Sequence, residues 1–341
     1  MSRSAGVWPV AQNQYMPGES LRCQMIAGAM KLVKCGGIKA GENVIISCDT
    51  NKLRIAECLA GCVLSVGATP TIIMIPPTGG HGRELPAPAT KAFEDCDVFI
   101  LPASYSQTHT QARMRAIANG ARGCTMCEVT EDMLCTGAIE GDFEECDRRG
   151  RLIGGMMAKA TTMHYTSPEG TDLTCKIEGR PVQYETGIFK TPGSFASVPN
   201  SEVNIAPIEG TATGRIVGNV RCMNIGVIKD EPITVFVENG KVVGTEGSAA
   251  ARDLWNILCS YNDPTAFNIA ELGLGLNDKG DIYANNCNAL GKFGNGHVGF
   301  GSNFAIGGTV KAPCHIDISF TGLNIYLDDV LVYDPKGIYE K

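Results

Sequence analysis

A histidine and an aspartate two positions apart, His315 and Asp317, are the first candidates for chemistry in this sequence. They stand in an alternating run typical of a β-strand, in which residues two apart face the same side. An imidazole and a carboxylate on one face can bind one divalent cation together. An isolated His-x-Asp pair is more often a satisfied polar pair, so a metal site needs support from other donors.

Three further donors stand in unusual surroundings. Glu271 lies in a stretch, residues 264–277, that holds no other charged residue. A carboxylate buried in such a stretch needs a cation or a strong hydrogen-bond donor beside it. His297 lies in a glycine-rich run, and Glu202 lies between two short proline-containing segments. With the His-x-Asp pair, three carboxylates and two imidazoles form a set suited to Zn²⁺, Mn²⁺ or Co²⁺, and large enough for two ions.

The first 160 residues alternate short apolar runs with helical patterns. The runs at 42–49, 71–75 and 97–101 have the length and composition of buried strands. Their alternation with helices is typical of βαβ units and predicts an α/β domain at 1–160 with an open, doubly wound, mostly parallel sheet of the Rossmann or flavodoxin type. The region contains no Gly-x-Gly-x-x-Gly or Walker-type loop, so nucleotide binding has no support.

The pattern changes after residue 160. Strand-like segments are separated by glycine and asparagine turns, and Asn239-Gly240 suits the tight turn of a hairpin. One helix is predicted at 247–260. Residues 161–341 are therefore expected to form an α+β metal-binding catalytic domain with an antiparallel sheet.

Composition excludes several classes of partner. The net charge is −7 and the basic residues are scattered, which argues against nucleic-acid and membrane-surface binding. The apolar runs are too short to cross a bilayer. Fifteen cysteines, an odd number in a long chain without a signal-peptide pattern, favour free thiols and a cytoplasmic location over a disulfide framework. A small-molecule substrate is the expected partner.

The order of these motifs resembles a known family. Pro-Asn-Ser-Glu202, Ile-Ala-Glu271-Leu-Gly, Gly-His297-Val-Gly-Phe-Gly and His315-Ile-Asp317 are similar to motifs of the aminopeptidase T/aminopeptidase S metallopeptidases. The segment from Lys311 to the Asp-Asp pair at 328–329 looks closer still to 2,5-dihydroxypyridine 5,6-dioxygenase, a ring-opening relative. The resemblance covers most of the chain and is strongest after residue 165.

This resemblance implies roles for individual residues. The ligand positions of the peptidases, which bind a two-metal centre, match Glu202, Glu271, His297, His315 and Asp317. The dioxygenase holds its iron with two histidines and one carboxylate, and one of those histidines falls on Glu271 here. The peptidases also carry a tyrosine shortly after the position of His297, whereas this chain has Ser-Asn-Phe at 302–304. The relatives further suggest a homodimer.

His109 aligns with a histidine that faces the ring in the pyridine enzyme. It precedes a predicted helix and could act as an acid or base. The alternative, an exposed residue beside the helix N-cap, is equally compatible with the sequence.

Three functions remain open. We expect a metal-dependent hydrolase that opens a small, cyclic carbonyl substrate, such as a cyclic 1,3-diketone or cyclic amide. Metal-activated water would attack, Glu202 or His109 would move the proton, and the metal would be Mn²⁺ or Zn²⁺, as one or two ions. The alternatives are a metallo-aminopeptidase and a non-haem Fe(II) ring-cleaving dioxygenase of the dihydroxypyridine type.

Overall fold

The computed structural model describes residues 18–108 and 110–340, without the side chains of residues 18–22 and 286. His109, a predicted acid or base, therefore lies outside the described residues. Within the described ranges, none of the helices combines the length and the apolar character that a membrane span requires.

The chain divides into two compact units. The first unit comprises the chain up to Phe143 together with Gly187–Pro199. The second comprises Glu144–Thr186 and the chain from Asn200 onwards. The predicted boundary at residue 160 thus falls inside the second unit.

Two local features account for this division. Cys146, Ile153 and Met157 are buried in the same apolar core as Met163, so the helix that carries them packs with the second unit. The short strand at 195–197 pairs with the parallel sheet of the first unit. The chain therefore returns to the first unit after it has begun the second.

A five-stranded sheet forms the centre of the first unit. Its strands are β1 (Asn43–Asp49), β2 (Thr69–Ile75), β3 (Val98–Ala103), β4 (Arg122–Cys127) and β8 (Phe195–Ser197). Their order is β2-β1-β3-β4-β8, and every pairing is parallel. The predicted parallel sheet is confirmed.

Helices alternate with these strands along the chain. They are α1 (Gly18–Cys35), α2 (Leu53–Ser65), α3 (Ala87–Ala92), α4 (Gln111–Ala118) and α5 (Glu131–Cys135), followed by a 3-10 turn at Gly137–Glu140. In α2 the buried positions Ile55, Leu59 and Cys62 recur at helical spacing, which gives the helix one apolar side. The apolar run of β3 is buried along its whole length, as expected for a strand of a covered parallel sheet.

The second unit contains two antiparallel sheets. The eight-stranded sheet, in spatial order, consists of β14 (Lys241–Gly247), β13 (Ile233–Glu238), β10 (Thr213–Gly218), β6 (Asp172–Lys176), β5 (Thr162–Thr166), β18 (Asn324–Leu327), β19 (Val330–Asp334) and β20 (Gly337–Ile338). The seven-stranded sheet consists of β12 (Gly226–Val227), β11 (Arg221–Cys222), β17 (His315–Thr321), β16 (Asn295–Gly301), β15 (Ile269–Gly275), β9 (Glu202–Ile205) and β7 (Val182–Glu185). The predicted antiparallel β structure is confirmed.

Helices α6 (Phe143–Met157), α7 (Ala249–Ser260) and α8 (Asn286–Leu290) complete the described elements, with 3-10 turns at Pro264–Phe267 and Phe304–Ile306. Side chains from both sheets form one apolar core, which includes Ile216 and Val235 from the larger sheet and Val298 and Ile318 from the smaller. A fully buried Val or Ile contributes about 1.5–3 kcal/mol to the free energy of unfolding. This core therefore covers one face of the seven-stranded sheet.

Candidate metal centre

Four neighbouring strands, β9, β15, β16 and β17, place all five predicted donors on one face of the seven-stranded sheet. In β17, Ile316 and Ile318 belong to the apolar core, and His315 and Asp317 alternate with them. The same alternation holds in the other three strands, because side chains of a strand point to opposite faces in turn. The donors are Glu202 on β9, Glu271 on β15, His297 on β16, and His315 and Asp317 on β17.

Each donor has a glycine as its partner on a neighbouring strand. Glu202 pairs with Gly275, His297 with Gly273, Glu271 and Asp317 with Gly299, and His315 with Gly301. A Cβ on Gly273 would lie 2.1 Å from Nε2 of His297, and one on Gly299 would lie 2.8 Å from Nε2 of His315. Because the glycines have no side chain, they leave space for the donor side chains.

The donor atoms lie close together. Nε2 of His297 lies 3.3 Å from Oε1 of Glu271 and 3.9 Å from Oε2 of Glu202. Nε2 of His315 lies 2.9 Å from Oε2 of Glu271 and 3.2 Å from Oδ1 of Asp317. The structure therefore brings all five predicted residues into one cluster, with Glu271 in contact with both imidazoles.

Within the cluster, three carboxylates face two imidazoles. The side chain of His297 is 1% exposed and that of Glu202 is 6% exposed, while His315 remains 34% exposed. Even two protonated imidazoles would leave one negative charge uncompensated, and a buried unpaired charge is costly. Among the described residues, Oε2 of Glu202 and Nδ1 of His297 have no hydrogen-bond partner. A divalent cation fits this set of donors.

The mutual charges shift the pKa values of the cluster. Burial acts to lower the pKa of His297, but the carboxylates of Glu202 and Glu271 outweigh it and raise that pKa to about 9. Asp317 and Glu271 likewise hold the pKa of His315 well above its usual range, against the effect of burial. Burial also raises the pKa of Glu202. Each imidazole is therefore held as a cation when no metal competes for it.

The pKa of Glu271 moves the other way. Burial acts to raise it, but hydrogen bonds from His297 and His315 outweigh burial and lower the pKa. Glu271 is therefore ionised at neutral pH. Among the described residues, two sets of three donors could hold an ion, Glu202-Glu271-His297 and Glu271-His315-Asp317. Both sets include Glu271.

One carboxylate near the cluster was missed by the sequence analysis. Glu185, at the end of β7, is the cross-strand partner of Glu202. Burial, followed by the charges of Glu202 and Glu271, raises the pKa of Glu185 to about 8. Segment 182–185 has no distinctive motif, so the sequence offered no signal for Glu185.

The matching family model and one curated relative carry the same description. A model of the 2,5-dihydroxypyridine 5,6-dioxygenase family matches residues 24–338. The 2,5-dihydroxypyridine 5,6-dioxygenase of Pseudomonas putida KT2440 is 29% identical over 203 residues, which span 55% of this chain and 57% of that protein. The alignment thus covers little more than half of the curated relative.

Two solved structures share the fold. The 2,5-dihydroxypyridine dioxygenase of P. putida KT2440 superposes with a TM-score of 0.81 at 20% identity, over 96% of this chain and 99% of the other. AmpT from Thermus thermophilus gives a TM-score of 0.65 at 15% identity, over 93% and 99%. Both branches named by the sequence resemblance therefore have this fold. The comparisons support the dioxygenase alternative better than the hydrolase prediction. The chain belongs to the 2,5-dihydroxypyridine 5,6-dioxygenase family.

Proposed function

We propose that this protein is a metal-dependent enzyme that opens the ring of a small cyclic compound. The observation that carries the proposal is the buried cluster around Glu271, whose excess negative charge suits a divalent cation. A family of ring-cleaving enzymes with the same fold supports ring opening as the reaction.

The first candidate reaction is oxygen-dependent cleavage of a dihydroxylated nitrogen heterocycle, with Fe(II) as the metal. It is supported by the family match, which extends over nearly the whole described chain. Both atoms of dioxygen would enter the product. Glu271, His315 and Asp317 would hold the iron, and the partly exposed side of His315 would border the substrate.

The second candidate is hydrolytic opening of a cyclic carbonyl compound, with Mn²⁺ or Zn²⁺. One observation favours it: each three-donor set contains one histidine and two carboxylates. Non-haem iron oxygenases characteristically use two histidines and one carboxylate. In this reaction Glu202, whose pKa is raised by burial, would accept the proton of the attacking water and return it to the leaving atom.

A bound divalent ion would supply Lewis acidity for hydrolysis, or electrons for oxygen chemistry if the ion is iron. The protein contributes a preorganised set of carboxylate and imidazole donors, because these side chains project from strands rather than loops. The small-molecule substrate and the homodimer stay predictions.

One experiment distinguishes the two reactions. Protein prepared without oxygen is loaded separately with Fe(II), Mn²⁺ and Zn²⁺ and offered 2,5-dihydroxypyridine, a cyclic 1,3-diketone and a cyclic amide. Oxygen uptake with both labelled oxygen atoms in the product supports dioxygenation. A product heavier by one water, formed without oxygen, supports hydrolysis. Failure of the wild-type protein to bind any of the three metals would overturn the proposed function.

A further inference from the structure

The segment between β16 and β17, residues 302–314, touches the metal centre through one hydrogen bond. Nδ1 of His315 lies 2.8 Å from the backbone carbonyl oxygen of Ser302. A carbonyl can only accept a hydrogen bond, so Nδ1 carries the proton and donates it. Nε2 then faces Glu271 and Asp317. The position of the Ser302 carbonyl therefore sets the direction in which the His315 ring presents its ligand atom.

Asn303, which follows Ser302, forms hydrogen bonds with other residues of this segment. Its side chain is fully buried, and its Oδ1 accepts a hydrogen bond of 2.9 Å from the amide of Val310. Its own amide donates to the carbonyl of Val310, and its carbonyl accepts from the amide of Gly308. One asparagine thus joins the start of the segment to Gly308 and Val310 further along it.

Glu209, which lies outside this segment in the chain, accepts hydrogen bonds from two of its residues. Its Oε1 accepts hydrogen bonds from Nδ2 of Asn303, at 2.9 Å, and from the amide of Thr309, at 2.8 Å. Its Oε2 pairs with the guanidinium group of Arg180. Arg180 also donates from Nη1 to the carbonyl of Gly307, at 2.8 Å. One carboxylate and one guanidinium group therefore contact the segment at three residues.

Glu209 lies close in the chain to one of the strands that carry the donors. It follows shortly after β9, the strand that carries Glu202. Burial acts to raise the pKa of Glu209, but the amide of Thr309, with help from Asn303, lowers it to about 2. The side chain is 24% exposed, and the Arg180 side chain is 12% exposed. Glu209 therefore connects the strand of one donor to the segment that orients another.

We propose that Glu209, together with Arg180, is a positioning residue of the metal centre. By fixing Asn303 and Thr309 it holds the Ser302 carbonyl, which in turn aims Nε2 of His315 at Glu271 and Asp317. This inference rests on the proposed metal centre. Groups that orient a metal ligand from outside change metal affinity by about 10- to 100-fold when they are removed.

Metal affinity measured by competition with a chromogenic chelator tests the proposal without reference to turnover. Glu209→Ala should weaken Zn²⁺ and Co²⁺ binding by about 10- to 100-fold. Glu209→Gln should recover most of the affinity, because an amide oxygen can still accept from Asn303 and Thr309. The visible spectrum of the Co²⁺ protein should change in Glu209→Ala and return towards wild type in Glu209→Gln.

Glu145→Ala is the matched control. Glu145 is also paired with arginine, at 2.7 Å from Arg148, and its hydrogen bond with that residue lowers its pKa to about 2. It lies in the same unit, on α6. Glu145→Ala should keep the wild-type affinity and Co²⁺ spectrum. If Glu145→Ala weakens metal binding as much as Glu209→Ala, or if Glu209→Ala binds metal like the wild type, the positioning role is wrong.

A second variant covers the case in which Glu209→Ala does not fold. Asn303→Asp places a carboxylate oxygen against Glu209 and breaks the same connection, and it must then weaken metal binding in the same way. A folded Asn303→Asp protein with wild-type affinity would overturn the inference. Absence of metal binding in the wild type would instead overturn the proposed function, so the two failures are distinguishable.

Discussion

Glu271 and His315 contact each other across the seven-stranded sheet, with Oε2 of the first 2.9 Å from Nε2 of the second. The other carboxylate oxygen of Glu271 lies 3.3 Å from Nε2 of His297. Two strands that are distant in sequence, β15 and β17, thus meet through a single side chain, because β16 between them carries Gly299 at the point of contact. Glu271 is therefore the residue on which both sets of donors depend.

Replacing this carboxylate should remove the metal. Glu271→Gln keeps the shape of the side chain but loses the charge that both donor sets share, so we expect metal affinity to fall by at least about 100-fold, more than for a group outside the ligands. Metal content after dialysis, measured by mass spectrometry, checks this. Glu238→Gln, at an exposed position on β13, is the control and should retain its metal. A metal-replete Glu271→Gln protein would contradict the assignment.

Gly299, at the point of contact, should be as important for metal binding as one of the donor residues. In Gly299→Ala the new Cβ would lie 2.8 Å from Nε2 of His315 and 3.0 Å from Oδ1 of Asp317. We expect this overpacking to cost about 1–3 kcal/mol in the free energy of unfolding, and metal affinity to fall as the donors move. Denaturant unfolding and chelator competition measure the two effects.

Gly244→Ala provides the matched control for that substitution. Gly244 lies on β14, and an added Cβ would meet its first neighbour, Phe236, only at 4.0 Å. The variant should bind metal like the wild type. Equal losses of metal in both variants would show that any added methyl group in these sheets disturbs the centre, and would refute the special role of Gly299.

Much of the cluster around Glu271 could be predicted from sequence because its side chains belong to alternating strands. The spacing of His315 and Asp317 placed both on one face, and the uncharged surroundings of Glu271 indicated a buried carboxylate. Glu185 could not be found in the same way, since its proximity to Glu202 comes from the register between β7 and β9. The return of residues 195–197 to the first unit was equally hidden, because a three-residue strand has no periodicity to detect.

Metal uptake should release protons. In the metal-free protein Glu202 and Glu271 outweigh burial and raise the pKa of His297 to about 9, so the imidazole is protonated at pH 7. A metal ligand must be deprotonated, and binding therefore displaces this proton. Apparent affinity should rise with pH until about pH 9. Calorimetry in buffers of different ionisation enthalpy counts the protons released, and uptake without proton release would contradict the predicted charge state.

Glu209 should contribute to stability in a pH-dependent way. Burial acts to raise its pKa, but the hydrogen bonds from Thr309 and Asn303 lower it to about 2 in the folded protein, against 4.5 for the unperturbed group. Because the folded-state value is the lower one, the stabilisation is fully present above about pH 4.5 and is lost as pH falls towards 2. The difference in unfolding free energy between wild type and Glu209→Gln should therefore shrink over that window. Denaturant unfolding of the metal-free proteins from pH 7 to the acid limit of folding measures it, and a difference that stays constant or grows on acidification would show that the Glu209 carboxylate is not stabilised by these contacts.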